Sequence, residues 1–161
     1  MIAVLMGVSG SGKTTIGERL AVEMGWPFYD GDDFHPRTNI EKMRGGVALT
    51  DEDRGVWLDR LRDFMRQLID QEKSAIVACS ALKEAYRRRL KSGSPHITFV
   101  YLKGDFDLIQ RRMQDRAGHF MKAGLLESQF ETLEEPDDAV TVDIANDPAT
   151  VVRIIKRKLS L

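Results

Sequence analysis

The sequence predicts an α/β fold of three layers, in which a five-stranded parallel sheet lies between helices on both faces. Two observations support this prediction. Short apolar runs of strand length alternate with stretches that repeat at helical spacing, and this alternation is typical of a parallel sheet covered by helices. A glycine-rich stretch also separates the first apolar run from the first helical one. The 161 residues, 42% hydrophobic and 30% charged, fit a single domain spanning 1–161.

The five predicted strands are apolar runs bounded by turn residues, and most are rich in Val, Ile or aromatic side chains. They cover residues 2–6, 27–29, 75–79, 97–102 and 140–144. The helices between them are predicted from apolar residues that recur every three or four positions. They cover residues 13–24, 51–70, 82–91, 105–116 and a last helix that begins at 148. Trp57 and Phe64, at helical spacing in the longest helix, are expected in the core.

Two helix starts carry recognisable capping residues. Thr50 followed by Asp53 resembles a capping box, with Asp in place of the usual Glu. Asp147 before Pro148 is typical of an N-cap followed by proline in the first turn. The least patterned segment, 117–136, contains one short helical candidate, at 125–133. A segment of this length with so little pattern is often functional, so we expect a mobile active-site lid here.

The charge balance and the cysteine content argue against several classes of function. Lys and Arg number 24 against 25 Asp and Glu, a net charge of -1, whereas a nucleic-acid surface or a polybasic membrane patch needs excess positive charge. No apolar run approaches the roughly 20 residues of a membrane helix, and the N-terminus lacks the basic region of a signal peptide. The one cysteine, Cys79, cannot form an intrachain disulfide and is expected as a small buried residue. We therefore expect a cytoplasmic protein without nucleic-acid or membrane partners.

Residues 7–14, GVSGSGKT, match the phosphate-loop pattern G-x-x-x-x-G-K-[ST] at every defined position. The loop follows a predicted strand and opens a predicted helix, which is the context that supports the match. Glycines let backbone N–H groups point inward at a phosphate, and the helix N-terminus adds partial positive charge. Lys13 is expected to reach the β- and γ-phosphates, and the Thr14 hydroxyl to hold Mg²⁺. The predicted ATP-binding residues of this region are Gly7, Val8, Ser9, Gly10, Ser11, Gly12, Lys13, Thr14 and Thr15.

The loop alone leaves three fates for the phosphate: transfer to a small molecule, hydrolysis in a switch, or hydrolysis in a motor. A GTPase switch needs an N-K-x-D guanine reader, which the sequence lacks, and the D-x-x-G match at 115–118 ends a predicted helix. A motor ATPase usually ends a buried strand in Asp, where this chain has Cys79 and Ser80. Support for Mg²⁺ is therefore expected from another strand.

An acidic stretch follows the second predicted strand. Asp30, Asp32 and Asp33 lie just past its carboxyl end, the edge where open α/β sheets bind ligands. Asp30 and Asp32 alternate along an extended chain, so we expect them to point to the same side. One carboxylate can then hold Mg²⁺, and the other can accept a proton from an attacking hydroxyl. Without the phosphate loop beside it, such a stretch is more often a solvated acidic turn.

Arg112 and Arg116 are four residues apart near the end of the helix that precedes the predicted lid, so they share a face. Arginines in that place can stack on a nucleotide base and clamp the phosphoryl group during transfer. Solvated surface charge explains the same pair equally well.

Four stretches of the chain resemble gluconokinases of the small P-loop type, the ATP-dependent kinases that make 6-phosphogluconate from D-gluconate. They read MGVSGSGKTTIGERLA, DGDDFHPRTNIEKMRGGVALTDEDRGVWL, CSALKEAYRRRL and YLKGDFDLIQRRMQDRAGHFMKAGLLESQFETLEEP. The first is shared by many phosphate-loop proteins, and the other three hold the more specific motifs. Lys122 departs from the pattern, since some relatives carry proline there.

The resemblance implies a P-loop kinase fold of the nucleoside-monophosphate-kinase and shikimate-kinase type, a mobile lid and often a homodimer. It implies ATP and D-gluconate as substrates, Mg²⁺ as cofactor, and a product that enters the pentose phosphate or Entner–Doudoroff routes. Asp30 would support Mg²⁺, and Asp32 would face the substrate hydroxyl. Arg112 would lie against adenine and Arg116 against the phosphates. Lys13, Asp32 and Arg116 would be the catalytic residues of an in-line transfer.

The acceptor site is predicted from the chemistry of gluconate, an anion with many hydroxyls, which needs a cation and several polar partners. The candidates are Arg54, Lys83 and Arg87 for the carboxylate, His35 and Ser80 for hydroxyls, and His119 for phosphate or substrate. The run 87–89 is also typical of a solvated helix face. Two other functions stay open. One is a different small-molecule kinase on the same scaffold, with shikimate, glycerate or a nucleotide as acceptor, and the other is a nucleotide-gated binding protein without transfer activity.

Overall fold

Five parallel strands form one sheet at the centre of the chain in this computed structural model, which describes residues 1–115 and 123–161. The strands are β1 (Ile2–Met6), β2 (Phe28–Asp30), β3 (Ala75–Ala78), β4 (Ile97–Lys103) and β5 (Val140–Asp143). Their spatial order is β2-β3-β1-β4-β5, and every neighbouring pair is parallel. β1 is central, with Ile2 paired to Ala75 of β3 on one side and to Ile97 of β4 on the other.

Seven helices surround the sheet in these two ranges of the chain. They are α1 (Lys13–Met24), α2 (Arg37–Arg44), α3 (Asp51–Asp70), α4 (Glu84–Lys91), α5 (Phe106–Gln114), α6 (Ala123–Thr132) and α7 (Pro148–Leu159). A 3₁₀ turn, Gly31–Phe34, follows β2. Within the described parts of the chain, no helix combines the length and the apolar character that crossing a membrane requires.

Alternate residues of β1 pack on opposite faces of the sheet, and this arrangement produces the three layers. Ala3 and Leu5 face a core built with α1, α5 and α7, whereas Ile2, Val4 and Met6 face a second core built with α3 and α4. All five side chains are fully buried. Because α1 leaves β1 on one face and α4 leaves β3 on the other, the carboxyl ends of these adjacent strands frame a crevice. That position is the usual ligand site of an open α/β sheet.

Capping side chains fix the starts of α3 and α7. The predicted capping box of α3 is confirmed: the Asp53 N–H donates to Thr50 Oγ1 (3.1 Å), and the Thr50 N–H donates to Asp53 Oδ2 (2.9 Å). Asp147 caps α7, as predicted. Further along α3, the indole N–H of Trp57 donates to the carbonyl of Gly31 at 2.7 Å. This bond holds α3 against the acidic turn that follows β2.

The predicted fold class is confirmed, and the differences lie at element ends and in one polar helix. β2 lies one residue later than predicted, and α4 begins two residues later, because the backbone of Lys83 is extended (φ -96°, ψ 145°). α2 has few apolar residues, so apolar periodicity does not predict it. Trp57 is a core residue and Cys79 is buried, both as predicted. Phe64 is partly buried and packs against the second core.

Candidate active site

The phosphate loop, residues 7–12, connects the end of β1 to the start of α1 at the crevice. Gly7, Gly10 and Gly12 have positive φ values of 147°, 78° and 93°, in a region that other residues rarely adopt. A Cβ atom at Gly10 would also lie 2.6 Å from Cγ of Met113 in α5. Two features therefore require glycine at position 10: the backbone conformation and the close approach of α5.

Lys13, the first residue of α1, folds back over the loop. Its ammonium donates to the carbonyl oxygens of Gly7 and Val8, both at 3.0 Å. Burial lowers the pKa of Lys13, and the nearby carboxylates Asp32 and Asp30 act in the opposite direction. Neutral carbonyl groups thus hold the ammonium at the loop. A charged phosphate would bind the ammonium more strongly than these carbonyls do.

A cavity of about 460 Å³ opens beside the phosphate loop, at the carboxyl ends of β2 and β3. Its lining residues are Ser9, Gly10, Gly12, Lys13, Thr14, Thr15, Asp30, Asp32, Ala78, Cys79 and Ser80. The Thr14 hydroxyl and the carboxylates of Asp30 and Asp32 share this cavity. Carboxylate and hydroxyl oxygens are hard ligands of the kind that Mg²⁺ takes together with phosphate oxygens and water. The side chains present therefore fit a magnesium–nucleotide complex.

The acidic stretch after β2 differs from its prediction in backbone conformation. The chain turns into the 3₁₀ helix after Asp30, and the Asp30 carboxylate accepts a hydrogen bond from the Asp32 N–H at 2.9 Å. The expectation that Asp30 and Asp32 alternate along an extended chain is therefore wrong, because this local carboxylate-to-backbone bond favours a turn. Both side chains nevertheless line the cavity, whereas Asp33 does not.

The carboxylate of Asp32 lies close to the buried side chain of His35. Burial and then the like charge of Asp30 raise the pKa of Asp32. Since 77% of this side chain is exposed to solvent, we expect the increase to be small. The His35 side chain is 6% exposed, its ring stacks on that of Trp57 with 4.2 Å between the ring centroids, and its Nε2 lies 3.9 Å from Asp32 Oδ1. The amide nitrogen of Asn39 lies 3.2 Å from His35 Nδ1.

The contact with Asn39 assigns a tautomer to His35. Burial lowers the pKa of His35, so the ring is neutral at pH 7. The amide nitrogen of Asn39 can only donate, so Nδ1 of His35 accepts and the proton lies on Nε2. The Nε2–H then faces the carboxylate of Asp32. His35 therefore contacts the candidate base, and it does not line the cavity where hydroxyls would bind.

Two of the predicted carboxylate-binding residues converge on one acidic side chain. Arg54 Nη1 lies 3.8 Å and Lys83 Nζ lies 3.7 Å from Oδ1 of Asp51, the first residue of α3. The hydroxyl of Tyr86 donates to the same oxygen at 2.8 Å. The Tyr86 hydrogen bond and the charge of Lys83 hold the pKa of Asp51 below its usual value. Two cations and a hydroxyl thus meet at one carboxylate oxygen at the start of α3, and neither Arg54 nor Lys83 lines the cavity of about 460 Å³.

Arg87 is placed away from the cavity. It is 5% exposed, and its guanidinium donates to the main-chain carbonyls of Ala81 (2.9 Å), Leu82 (3.1 Å) and Glu134 (2.9 Å). The alternative prediction, that residues 87–89 lie on a solvated helix face, is therefore wrong for Arg87. The structure also does not bring this side chain to the cavity, because its donors are used to tie the β3–α4 connection to the segment after α6.

A second recess, of about 290 Å³, shares the phosphate loop as a wall with the first cavity. Its lining residues are Gly10, Ser11, Gly12, Thr15, Ile16, Arg112, Asp115, Ile144, Asn146, Pro148 and Val151. Apolar side chains with a few polar groups suit a planar heterocyclic ligand. Arg112 lines this recess, and its contact with adenine stays a prediction. Asn146 lies here too, and sequence reasoning missed it, because a polar residue in a turn before a helix carries no distinctive signal.

Comparison with known proteins places the chain in a family. The family model described as Shikimate kinase matches residues 9–145. The thermosensitive gluconokinase of Escherichia coli (strain K12) is 51% identical over 152 residues, covering 92% of this chain and 81% of that protein. The chain belongs to the gluconokinase family. The thermoresistant gluconokinase of the same strain is 46% identical over 165 residues, covering 97% of this chain and 94% of that protein.

Solved structures agree with this placement. The crystal structure of a gluconokinase from Sinorhizobium meliloti 1021 has a TM-score of 0.85 and 42% identity, covering 98% of this chain and 90% of that chain. Family membership confirms the resemblance that the sequence motifs indicated.

The geometry brings together part of the predicted site. The phosphate loop, Asp30, Asp32 and Ser80 meet in the first cavity, and Arg112 lies in the second recess. Arg116 and His119 fall outside the described residues. Of the predicted lid, 117–136, the structure describes 123–136, where α6 occupies the place of the helix expected at 125–133. That this segment closes over the cavity stays a prediction.

Gln129 of α6 reaches the phosphate loop, and sequence reasoning did not find this contact. Its Oε1 accepts from the Ser9 N–H at 2.6 Å, and its Nε2 donates to Ser9 Oγ at 2.9 Å. The two residues are 120 positions apart in the sequence, so no local pattern connects them. The only available signal was the position of Gln129 within the stretch LLESQFETLEEP, which resembles gluconokinases.

Proposed function

We propose that the chain is a gluconokinase that transfers the γ-phosphoryl group of ATP to the 6-hydroxyl of D-gluconate. One observation carries the proposal: a single cavity holds the phosphate loop and two carboxylates at the carboxyl edge of the sheet. A phosphate cradle beside a proton acceptor is what transfer to a hydroxyl requires. Membership of the gluconokinase family selects gluconate as the acceptor.

The nucleotide occupies both recesses in this proposal. The triphosphate lies along the phosphate loop, where Lys13 reaches the β- and γ-phosphates. The adenine lies in the second recess, where the guanidinium of Arg112 can stack on its face. Arg116 is proposed to contact the phosphates from beyond the end of α5.

Mg²⁺ is proposed to bind with the nucleotide at Thr14 and Asp30. Both line the cavity, and one or two protein ligands suffice, because Mg²⁺ keeps several waters and binds phosphate oxygens directly. When bound, the ion neutralises negative charge on the phosphate oxygens. The hydrogen bond from the Asp32 N–H holds the Asp30 carboxylate in a fixed orientation at the cavity wall.

Asp32 is proposed as the general base. It accepts the proton of the 6-hydroxyl as that oxygen attacks the γ-phosphorus, and the bond from phosphorus to the bridging oxygen of ADP breaks. A raised pKa makes the ionised carboxylate a stronger base than an ordinary aspartate. The Nε2–H of His35 is proposed to orient Asp32, and the ammonium of Lys13 to stabilise charge on the moving phosphoryl group.

The acceptor is proposed to bind between the cavity and the start of α3. Arg54 and Lys83 bind the gluconate carboxylate in place of their present contacts with Asp51. Ser80, in the cavity, binds a hydroxyl. His119 is proposed to contact phosphate or substrate.

The assembly and location of the enzyme are also proposals. We propose a homodimer, on the basis of the family resemblance, and light scattering tests it by distinguishing 18.2 kDa from twice that mass. We propose a cytoplasmic location, supported by a single cysteine that excludes an intrachain disulfide.

The experiment that tests the function is ADP release from MgATP with and without D-gluconate, with shikimate, glycerate and AMP in parallel reactions. A large increase with gluconate alone is expected. An increase with another acceptor would assign the chain to a different small-molecule kinase activity. Binding of ATP without an increase for any acceptor would favour the nucleotide-gated binding protein.

A further inference from the structure

The stretch LLESQFETLEEP is one of the motifs that resemble gluconokinases, and it supplies a side chain that reaches the phosphate loop. It forms most of α6 and the segment that follows. Gln129 lies in the middle of this helix, and its side chain is only partly exposed. It directs both polar atoms of its amide at one residue of the phosphate loop.

We propose that Gln129 is a positioning residue that braces Ser9 and so holds the phosphate loop in the shape that receives the triphosphate. The proposal rests on the proposed nucleotide site. The carbonyl oxygen of Gln129 takes the main-chain N–H of Ser9, and its NH₂ group takes the hydroxyl of the same residue. A two-point contact of this kind fixes both the position of the loop backbone and the rotamer of Ser9.

The phosphate loop needs such a brace because of its composition. Glycines at 7, 10 and 12 surround Ser9, and glycine backbones are pliable. Elsewhere in the loop, Lys13 bonds the carbonyls of Gly7 and Val8, and the Ser11 N–H donates to the carbonyl of Val8 at 3.2 Å. In residues 1–115 and 123–161, the N–H and hydroxyl of Ser9 are hydrogen-bonded by Gln129 alone.

Gln129 supports the loop from outside the ligand space. Ser9 lines the cavity of about 460 Å³, but Gln129 lines neither that cavity nor the second recess. A triphosphate can therefore occupy the loop without displacing the amide. This placement distinguishes a brace, which helps nucleotide binding, from a plug, which would compete with it.

Hydrogen bonds hold the carboxyl-terminal end of α6, the helix that carries Gln129. Just after α6, the Glu134 N–H donates to the carbonyl of Leu82 (2.8 Å), and its carboxylate accepts from the Glu84 N–H (2.9 Å) at the start of α4. The next residue, Glu135, accepts from the Tyr101 hydroxyl at 3.1 Å. The brace is thus anchored to β4 and α4, and it connects these elements to the phosphate loop.

The test is MgATP affinity, measured by calorimetric titration without acceptor, for the variants Gln129→Met and Gln129→Asn. Methionine keeps the length and loses both hydrogen bonds, and asparagine keeps the amide on a stem too short to reach Ser9. We expect each to raise the Kd for MgATP about tenfold, with the KM for gluconate within about twofold of wild type. Gln67→Met is the matched control, because Gln67 is exposed on α3 and lines neither the cavity nor the second recess; it should leave both constants unchanged.

A double-mutant cycle with Ser9→Ala separates bracing from general loosening of the helix. Ser9→Ala alone should weaken MgATP binding about threefold, and it should add almost nothing in the Gln129→Met background, because the shared hydrogen bond is already lost. Three outcomes would overturn the proposal. The effects of Ser9→Ala and Gln129→Met on the Kd for MgATP could be independent, or both Gln129 variants could keep the wild-type affinity. Tighter binding by the variants would instead mark Gln129 as a plug. If one Gln129 variant fails to fold, as judged by circular dichroism, the other decides. A wild-type chain that binds MgATP but ignores gluconate would reject the acceptor and leave this test intact.

Discussion

Replacement of Arg87 by methionine separates a structural from a substrate-binding arginine. Methionine fills much of the same buried volume but leaves the carbonyls of Ala81, Leu82 and Glu134 without the three donors that the guanidinium supplies. Each lost bond costs about 1 kcal/mol net, so the free energy of unfolding should fall by about 3 kcal/mol. For a chain of this size, 1 kcal/mol shifts Tm by about 2–4 °C. Arg87→Met should therefore lower Tm by about 6–12 °C.

The assay pairs thermal unfolding with gluconate kinetics, measured well below the Tm of the variant. Arg88→Met is the matched control, because the side chain of Arg88 is 78% exposed and, among the residues that the structure describes, pairs only with Glu84 on the same helix. A pair of that kind contributes about 0.3–0.5 kcal/mol, so the control should shift Tm by about 2 °C or less. We expect the KM for gluconate to stay within about threefold in both variants. A near-normal Tm for Arg87→Met together with a KM raised tenfold or more, on the order of a lost charged contact, would refute the structural role.

Three further predictions concern the cavity. Lys13→Ala should lower kcat about 10³-fold or more with little change in Tm, and near-normal turnover would remove Lys13 from the catalytic group. Asp32→Asn should lower gluconate turnover about 10²–10⁴-fold, with the Kd for MgATP within about threefold; a parallel loss of ATP affinity would place Asp32 in the metal site. The pKa of Asp32 is raised from its ordinary value of 3.8, so the carboxylate is protonated, and the base lost, as pH falls through that raised value. The acid-side decline of wild-type kcat/KM should therefore begin at a higher pH than for an ordinary aspartate. The residual activity of Asp32→Asn should lack this decline. Gly10→Ala should weaken MgATP binding about tenfold or more, since its Cβ would meet Met113 at 2.6 Å; unchanged affinity would show that the loop can shift.

Features that depend on local pattern were predictable from the sequence. The strands follow from apolar runs, α3 from its long helical repeat, and its start from the pair Thr50 and Asp53. The phosphate loop was predictable because its spacing encodes one backbone shape between a strand and a helix. Two short elements, α2 and the turn after β2, were not predictable in this way. Neither the polar helix α2 nor the turn that Asp30 caps carries an apolar period that distinguishes it from a loop or an extended chain.

Features that depend on distant partners were not predictable. Arg87 looks like one of three arginines on a charged helix, and only the fold shows that it is buried against Glu134, 47 positions away. Gln129 is an ordinary polar residue until α6 is placed beside Ser9. The convergence of Arg54 and Lys83 on Asp51 likewise requires α3 and the β3–α4 connection to be adjacent. For Arg87 and Lys83 the sequence identifies the cation, and the fold is needed to show its distant partner.

In the proposed reaction, the phosphate loop and Asp32 together move the γ-phosphoryl group of ATP onto the 6-hydroxyl of gluconate. Phosphorus NMR of a reaction with MgATP and D-gluconate tests it most directly, because a phosphate ester at that carbon couples to its two attached protons. We expect a triplet from a new phosphomonoester that grows as ATP is converted to ADP, and a far slower rise of this signal with Asp32→Asn. Inorganic phosphate as the sole new phosphorus species besides ADP, or an ester signal of another multiplicity, would contradict it.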